Sequence, residues 1–379
     1  MPQRRDLAET AASERPALRL VQAAPAPAPE PRTTPDVPIA VWPCAQQTSQ
    51  VQRHGRYLRE SNRHPAKMLP ELARRAISAY SDPGELVLDP MCGIGTTLLE
   101  AIHLGRNALG VELEPRWASL ARANIAHARE QDAPGAAAVV QGDARELPRL
   151  LATKARQSLN RLAPHGHHLA THPAGAVALI LTSPPYGCEI GELDKRAWGT
   201  GHDLCLQQTR NYSRDRANLG HARNQHYLDA IADVYRASAA VLRPGGFLVV
   251  VTKDLRAQGA LRDLAGQTIQ LCRDAGLLYW QRVIALLATV GERQLIPRPS
   301  FWQLLQLRKA IDRGERTQLV CHEDVLVFRK PPTHAATSAG DARSSTRDNN
   351  GTERYGDGIP KRYGVGGPRA ASRGRKRTS

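Results

Sequence analysis

The chain has 379 residues and a formal charge of +16, with 44 arginines among its 52 basic residues. A hydrophobic fraction of 41% suffices for a large core, and no run of about 18 apolar residues or charged-then-apolar leader marks the chain for a bilayer or for secretion. Six cysteines without a Cys-x-x-Cys pair speak against a disulfide framework and a regular metal centre, so no metal is expected and a reducing cytoplasm is implied.

Residues 1–40 are rich in Ala and Pro and read as a disordered leader, with five basic residues against five acidic ones. From 331 to 379 a tail rich in Gly, Ser and Arg, with ten basic and four acidic residues, reads the same way. The leader is thus neutral and the tail carries +6, which leaves +10 on residues 41–330. The expected domain is therefore itself basic. An arginine-dominated surplus of this kind favours a polyanion held by bidentate phosphate contacts, and nucleic acid is the natural candidate.

Within 41–330, short apolar runs alternate with helical patterns, the layout of a parallel sheet wrapped by helices. A strand is predicted over 85–89, then a helix over 96–104 stopped by Gly105, and a strand over 108–112. Pro115 suits the first turn of a helix that places Trp117, Leu120, Ala121 and Ile125 on one face. A third strand over 136–140 ends in Gly142-Asp143. The continuous apolar run 176–182 fits a buried central strand. Further strands are expected over 247–252, 279–288 and 324–328, with helices over 227–242 and 262–275. These elements compose an open, doubly wound α/β sheet, which binds ligands beyond the carboxyl ends of its strands.

Two turns at those ends carry chemistry. Asp89-Pro90-Met91-Cys92-Gly93-Ile94-Gly95-Thr96-Thr97 joins strand to helix, and its glycines admit a ligand close to the backbone. It lacks both the third glycine of a dinucleotide fingerprint and the Gly-Lys-Ser/Thr of a phosphate loop. Glu112, ending the next strand, can accept two ribose hydroxyls, and Asp143 can accept from an adenine amine. In this ordered set the chain resembles the S-adenosylmethionine-dependent methyltransferases. The resemblance implies S-adenosyl-L-methionine as cofactor, with Asp89, Cys92, Gly93, Gly95, Thr96, Glu112 and Asp143 lining its site, and a seven-stranded Rossmann-like methyltransferase fold. His64-Pro65-Ala66-Lys67-Met68-Leu69-Pro70 resembles the segment such enzymes place at the methionine end, which adds Lys67.

The second turn is Ser183-Pro184-Pro185-Tyr186, directly after the central strand. Methylating an exocyclic amine requires pulling its lone pair out of conjugation with the ring, which hydrogen-bond acceptors on the amine hydrogens favour. The Ser183 hydroxyl and the Pro184 carbonyl can supply two acceptors, Pro185 stiffens the turn, and Tyr186 offers a face on which an extruded base stacks. The tetrapeptide resembles the signature of DNA amino-methyltransferases, and its serine form is most similar to the cytosine-N4 enzymes. Restriction–modification enzymes of that kind act on double-stranded DNA, beside a partner nuclease that the sequence leaves unknown. Leu242-Arg243-Pro244-Gly245-Gly246-Phe247 and the run 322–328 resemble the later parts of the same domain, so the resemblance covers about 55–330.

The long polar connection 187–226 is the expected target-recognition insert, with Trp198 and Tyr212 as stacking groups and Arg210, Arg214, Arg216 and Arg223 for phosphates or guanine edges. The histidines at 165, 167, 168 and 172 lack carboxylate or cysteine companions and read as loop. Three other readings stand beside cytosine-N4 methylation: adenine-N6 methylation, usually with Asp in place of Ser183; an RNA base methyltransferase; and a non-catalytic DNA-binding protein that keeps the fold. A cytosine-C5 mechanism is disfavoured, since the only Pro-Cys, Pro43-Cys44, precedes the cofactor turn.

Overall fold

A computed structural model describes residues 37–64, 66–155, 176–185, 218–221, 224–257, 260–299 and 301–332. The expected leader, apart from 37–40, the tail beyond 332 and most of the 187–226 insert lie outside the described residues.

The N-terminal elements are strand β1 (Val41–Pro43), helix α1 (Ser49–Arg53) and helix α2 (Pro70–Tyr80). A βα series follows: β2 (Leu86–Asp89), α3 (Thr96–His103), β3 (Asn107–Glu112), α4 (Pro115–Glu130), β4 (Ala137–Gln141) and the short α5 (Leu147–Leu150). After β5 (Val177–Thr182) come α6 (Asn224–Val241), β6 (Leu242–Thr252), β7 (Leu255–Ala257), β8 (Ala260–Arg262), α7 (Leu264–Asp274) and β9 (Leu278–Leu286). The hairpin β10 (Ala288–Val290) and β11 (Leu295–Pro297), helix α8 (Phe301–Asp312) and β12 (His322–Arg329) complete the described chain.

The main sheet runs β1-β9-β12-β6-β5-β2-β3-β4. Every pairing is parallel except those of β12, which lies antiparallel between β6 and β9. Residues of the central strands are buried on both faces, so they read as unbroken Val/Ile/Leu runs rather than alternating ones. One face packs against α2, α3 and α4 through Leu72, Leu98 and Trp117, and the other against α5, α6 and α7 through Leu150, Tyr235 and Cys272. From β2 the chain steps outward to β3 and β4, then returns to β5 on the opposite flank. The carboxyl ends of β2 and β5 therefore flank a topological switch point, where sheets of this kind bind their ligands.

The doubly wound, mostly parallel sheet is as expected, with eight strands in place of seven. The extra strand is β1, whose three residues pair in parallel with Ile284–Leu286 of β9; so short a run, ending in Pro43 itself, carries too little pattern to stand out from the leader. The run 279–288 divides after Leu287, whose amide donates to Cys321 O at 2.8 Å as the last bond of the β9–β12 ladder; beyond it the chain leaves the main sheet and β10 pairs with β11. Among the described residues, no helix is long and apolar enough to cross a membrane.

Candidate active site

The turn after β2 is built around two buried carboxylates. Asp89 accepts hydrogen bonds from Thr97 Oγ1 at 2.7 Å and from the Met91 amide at 3.1 Å. Burial raises its pKa to about 6 against those bonds. The Thr182 hydroxyl also works to lower it, although it makes no hydrogen bond of regular geometry. Thr97 Oγ1 lies 3.4 Å from Leu181 O, so one hydroxyl links the first turn to the end of β5. Gly95, at φ +86°, forms the left-handed entry to α3, and Thr96 begins that helix buried. Cys92 is buried, with burial first among the causes that push its thiol pKa up, and its amide donates to Val111 O at 2.9 Å, drawing the turn over β3.

Glu112 is buried at the end of β3. Its Oε2 accepts from the Gly93 amide at 2.8 Å and its Oε1 from the Glu114 amide at 2.9 Å. A carboxylate offers about four lone-pair positions, so each oxygen keeps one for a further donor. Burial drives the pKa of Glu112 up to about 7 despite these two bonds. The close approach of turn and strand depends on Gly110, where a Cβ would stand 2.6 Å from Cys92 Sγ and 2.7 Å from Leu98 Cδ1.

The His64 segment lies against this turn: a Cβ on Gly93 would meet His64 Nε2 at 3.2 Å, and the His64 ring packs edge-on against Trp117 with centroids 4.5 Å apart. Burial, followed by the Lys67 charge, lowers the His64 pKa to about 4. Lys67 is half-buried and donates to His64 O, and burial, followed by the Arg53 charge, lowers its pKa to about 8. Two further side chains fasten the segment. Glu100 binds Arg56 through two hydrogen bonds, 2.8 and 2.9 Å, and accepts from Tyr57 Oη at 2.7 Å. Asn124, fully buried, accepts from the Leu58 amide at 3.0 Å and donates to Ser61 Oγ at 2.9 Å and Ile94 O at 3.0 Å.

Sequence reasoning missed Asn124, although a polar residue seven positions after Trp117 on an apolar helix stripe is a legible signal. Asn124→Ala orphans several buried groups at once and is expected to destabilise the fold by about 2–4 kcal/mol in urea unfolding. The same change should weaken cofactor binding, since Ile94 lies within the turn.

Asp143 lies at the head of a 3-10 turn, where Arg145 holds it through its amide at 2.9 Å and through Nε at 3.0 Å. Burial works to raise its pKa, but the hydrogen bonds of Arg145 outweigh it and hold the carboxyl below its ordinary value. Asp143 is therefore ionised and partly committed to Arg145. Glu114, which follows Glu112 by two residues, receives a hydrogen bond from the buried Asn218 at 2.5 Å.

Ser183, Pro184 and Pro185 leave the carboxyl end of β5, with Ser183 and Pro185 half-buried and Pro184 buried. Pro184 lines a crevice with Tyr227 and Ile231 of α6, Thr252 of β6 and Leu264 and Thr268 of α7. Tyr186 lies outside the described residues, as do Trp198, Arg210, Tyr212, Arg214, Arg216 and Arg223. Thr97 Oγ1 thus joins Asp89 of the first turn to Leu181 O in β5, two residues before Ser183. Cys44, the residue of the lone Pro-Cys, is fully buried, and burial pushes its thiol up to about 12, a state unsuited to nucleophilic attack.

The DNA methylase family matches residues 9–123 of the chain. A tRNA (guanine(10)-N2)-dimethyltransferase of Methanocaldococcus jannaschii is 32% identical over 136 residues, 35% of this chain and 33% of that protein. The type II methyltransferase M.MthZI of Methanothermobacter thermautotrophicus is 36% identical over 85 residues, 22% of this chain and 23% of that protein. The chain thus spans a third or less of the length of these relatives. The crystal structure of TrmN from Thermus thermophilus covers 74% of this chain and 53% of its own, at 19% identity and a TM-score of 0.38, and adds nothing to the fold already described.

Proposed function

We propose a function for this chain from its membership of the S-adenosylmethionine-dependent DNA amino-methyltransferase family: it methylates the exocyclic amine of a base in double-stranded DNA, most specifically N4 of cytosine. What supports this reading is that the Asp89–Thr97 turn is tied through Thr97 to Leu181 O of β5, two residues before Ser183, at the switch point. S-adenosylmethionine, when bound, supplies a methyl group on a sulfonium.

The residues present fit that cofactor. Glu112 keeps acceptor positions for the two ribose hydroxyls, the glycine turn admits a ligand against its backbone, and Asp143 is ionised to accept from adenine even while Arg145 holds it. Lys67 donates to His64 O and the His64 ring lies beside Gly93, and we assign this group to the methionine part. In our reading Asp89 and Thr96 orient the turn, and Cys92 and Gly95 shape its wall. Ser183 and the Pro184 carbonyl accept the amine hydrogens, Pro185 fixes their spacing, and Tyr186 stacks on the base. The domain is proposed to run from 41 to 330, and Trp198, Arg210, Tyr212, Arg214, Arg216 and Arg223 to belong to its target-recognition insert.

Two other amines stay in view. The Methanocaldococcus relative is named for tRNA guanine, which supports an RNA base as the second reading. Adenine N6 is the third, and serine at 183 is what weighs against it. Incubating the protein with methyl-labelled cofactor and either duplex DNA or transfer RNA, then digesting to nucleosides, decides among them. The expected product is N4-methylcytosine in DNA; label confined to RNA, to adenine or to a ring carbon would overturn the assignment.

A further inference from the structure

Strand direction places an unclaimed element on the catalytic edge. β9 is antiparallel to β12, which is antiparallel to β6, so β9 ends at the same edge of the sheet as β2, β5 and β6. The chain leaves that end at Leu286 and forms the β10–β11 hairpin at once. β9 is the third strand along from β5. At ~4.8 Å per strand the hairpin stands roughly 14 Å from the Ser183 turn, a span close to the ~12 Å width of the major groove of DNA.

The base of the hairpin is held firmly. Thr289 Oγ1 donates to Ala45 O at 3.1 Å, Arg298 Nε donates to Ala45 O at 3.0 Å and to Thr289 Oγ1 at 2.8 Å, and the Arg298 amide donates to Leu287 O at 2.8 Å. Its outer part presents aliphatic side chains to water. Val290 and Leu295 face each other across the ladder, each 49% exposed, and Ile296 is 44% exposed on the other side. Arg293 sits exposed in the turn between the strands. A two-stranded ladder of three residues a strand is marginal in isolation, and apolar side chains gathered at its end mark a contact surface rather than a core.

Charge selects the partner. Between 287 and 321 the sequence holds six basic residues and three acidic ones, on a domain that carries +10 in all. Aliphatic groups beside arginine suit the major groove, where arginine neutralises phosphate and apolar side chains contact thymine methyls. The geometry points to the β10–β11 hairpin as a finger that grips duplex DNA beside the catalytic turn, with Val290 and Leu295, which share one face, against the bases and Arg293 on phosphate. This inference rests on the reading of the protein as a DNA-modifying enzyme, and it assigns duplex contact to residues outside the 187–226 insert.

The test is anisotropy of a labelled DNA duplex titrated with the full-length chain at several salt concentrations. Arg293→Ala should weaken binding about 5- to 10-fold and reduce the slope of log affinity against log salt by about 0.9. Val290→Ser/Leu295→Ser should weaken binding at least about 10-fold with the salt slope preserved, because no charge is removed. Since all three side chains are exposed, their thermal unfolding should match that of the unsubstituted chain. Unchanged duplex affinity in both variants, or a loss seen only with structured RNA, overturns the finger. If the unsubstituted chain binds duplex yet methylates no nucleic acid, the proposed activity falls while the binding series still decides the role of the hairpin.

Discussion

Ser183→Ala lowers the turnover of amine methylation by about 10²–10³-fold while leaving cofactor affinity within about twofold, the signature of a group that acts in the transition state. The hydroxyl directly follows a strand whose every residue is buried, on a turn whose next residue, Pro184, is itself buried. Such a support holds the acceptor in place before substrate arrives, so little reorganisation accompanies the reaction. Alanine removes the acceptor and leaves the two prolines intact. Single-turnover quench of labelled methyl transfer, paired with calorimetric cofactor binding, measures the two quantities separately. A proportional loss in both would assign Ser183 to the architecture of the turn instead of to the amine.

On the role proposed for it, Glu112→Ala is expected to weaken cofactor binding by about 10²–10³-fold, since it would remove two charge-assisted hydrogen bonds to ribose of about 1.5–3 kcal/mol each and the acceptor of the Gly93 and Glu114 amides. The charge state of Glu112 makes the same site dependent on pH. Its folded pKa, about 7, lies well above the ordinary carboxylate value because it is buried. Below about pH 7 the group takes up a proton and loses acceptor capacity, so cofactor affinity falls as the solution is made more acid.

Stability runs the opposite way. Between the ordinary carboxylate pKa and about 7, the folded chain holds a proton that the unfolded chain has released, so the cofactor-free protein loses stability as pH rises through that window. Asp89, raised to about 6, adds to the same slope. Thermal unfolding and cofactor calorimetry from pH 5 to pH 8, both repeated on Glu112→Gln, measure the two opposed trends. Affinity that stays flat with pH in the unsubstituted protein would remove Glu112 from the ribose.

The elements that carry the site were legible because each is a strand buried on both faces and ends in a distinctive turn. The runs at 86–89, 107–112 and 177–182 have no solvent face to confuse the pattern, and Asp89, Glu112 and Ser183 follow directly. Elements at the periphery were harder to read. β1 has three residues and ends in Pro43, the β10–β11 hairpin continues the apolar run of β9, and α8 opens on Phe301-Trp302 after two prolines. Local periodicity cannot separate such pieces, because what defines them is pairing with distant chain, as between Val41 and Ile284. Asp143 illustrates the limit for single side chains: its place after a strand was evident, but its engagement by Arg145 two residues on was not.

The stretch from β1 to Met68 works as a tie rod. At one end it is laced into the far margin of the sheet and carries the hairpin on Ala45; at the other it presses His64 onto Gly93, with Gln52 bonded to Cys44 O and Arg53 to Met68 O along the way. A single protease nick here, say after Arg56, would cut the covalent link between the two ends. On the roles proposed above, cofactor and duplex binding are then expected to weaken together.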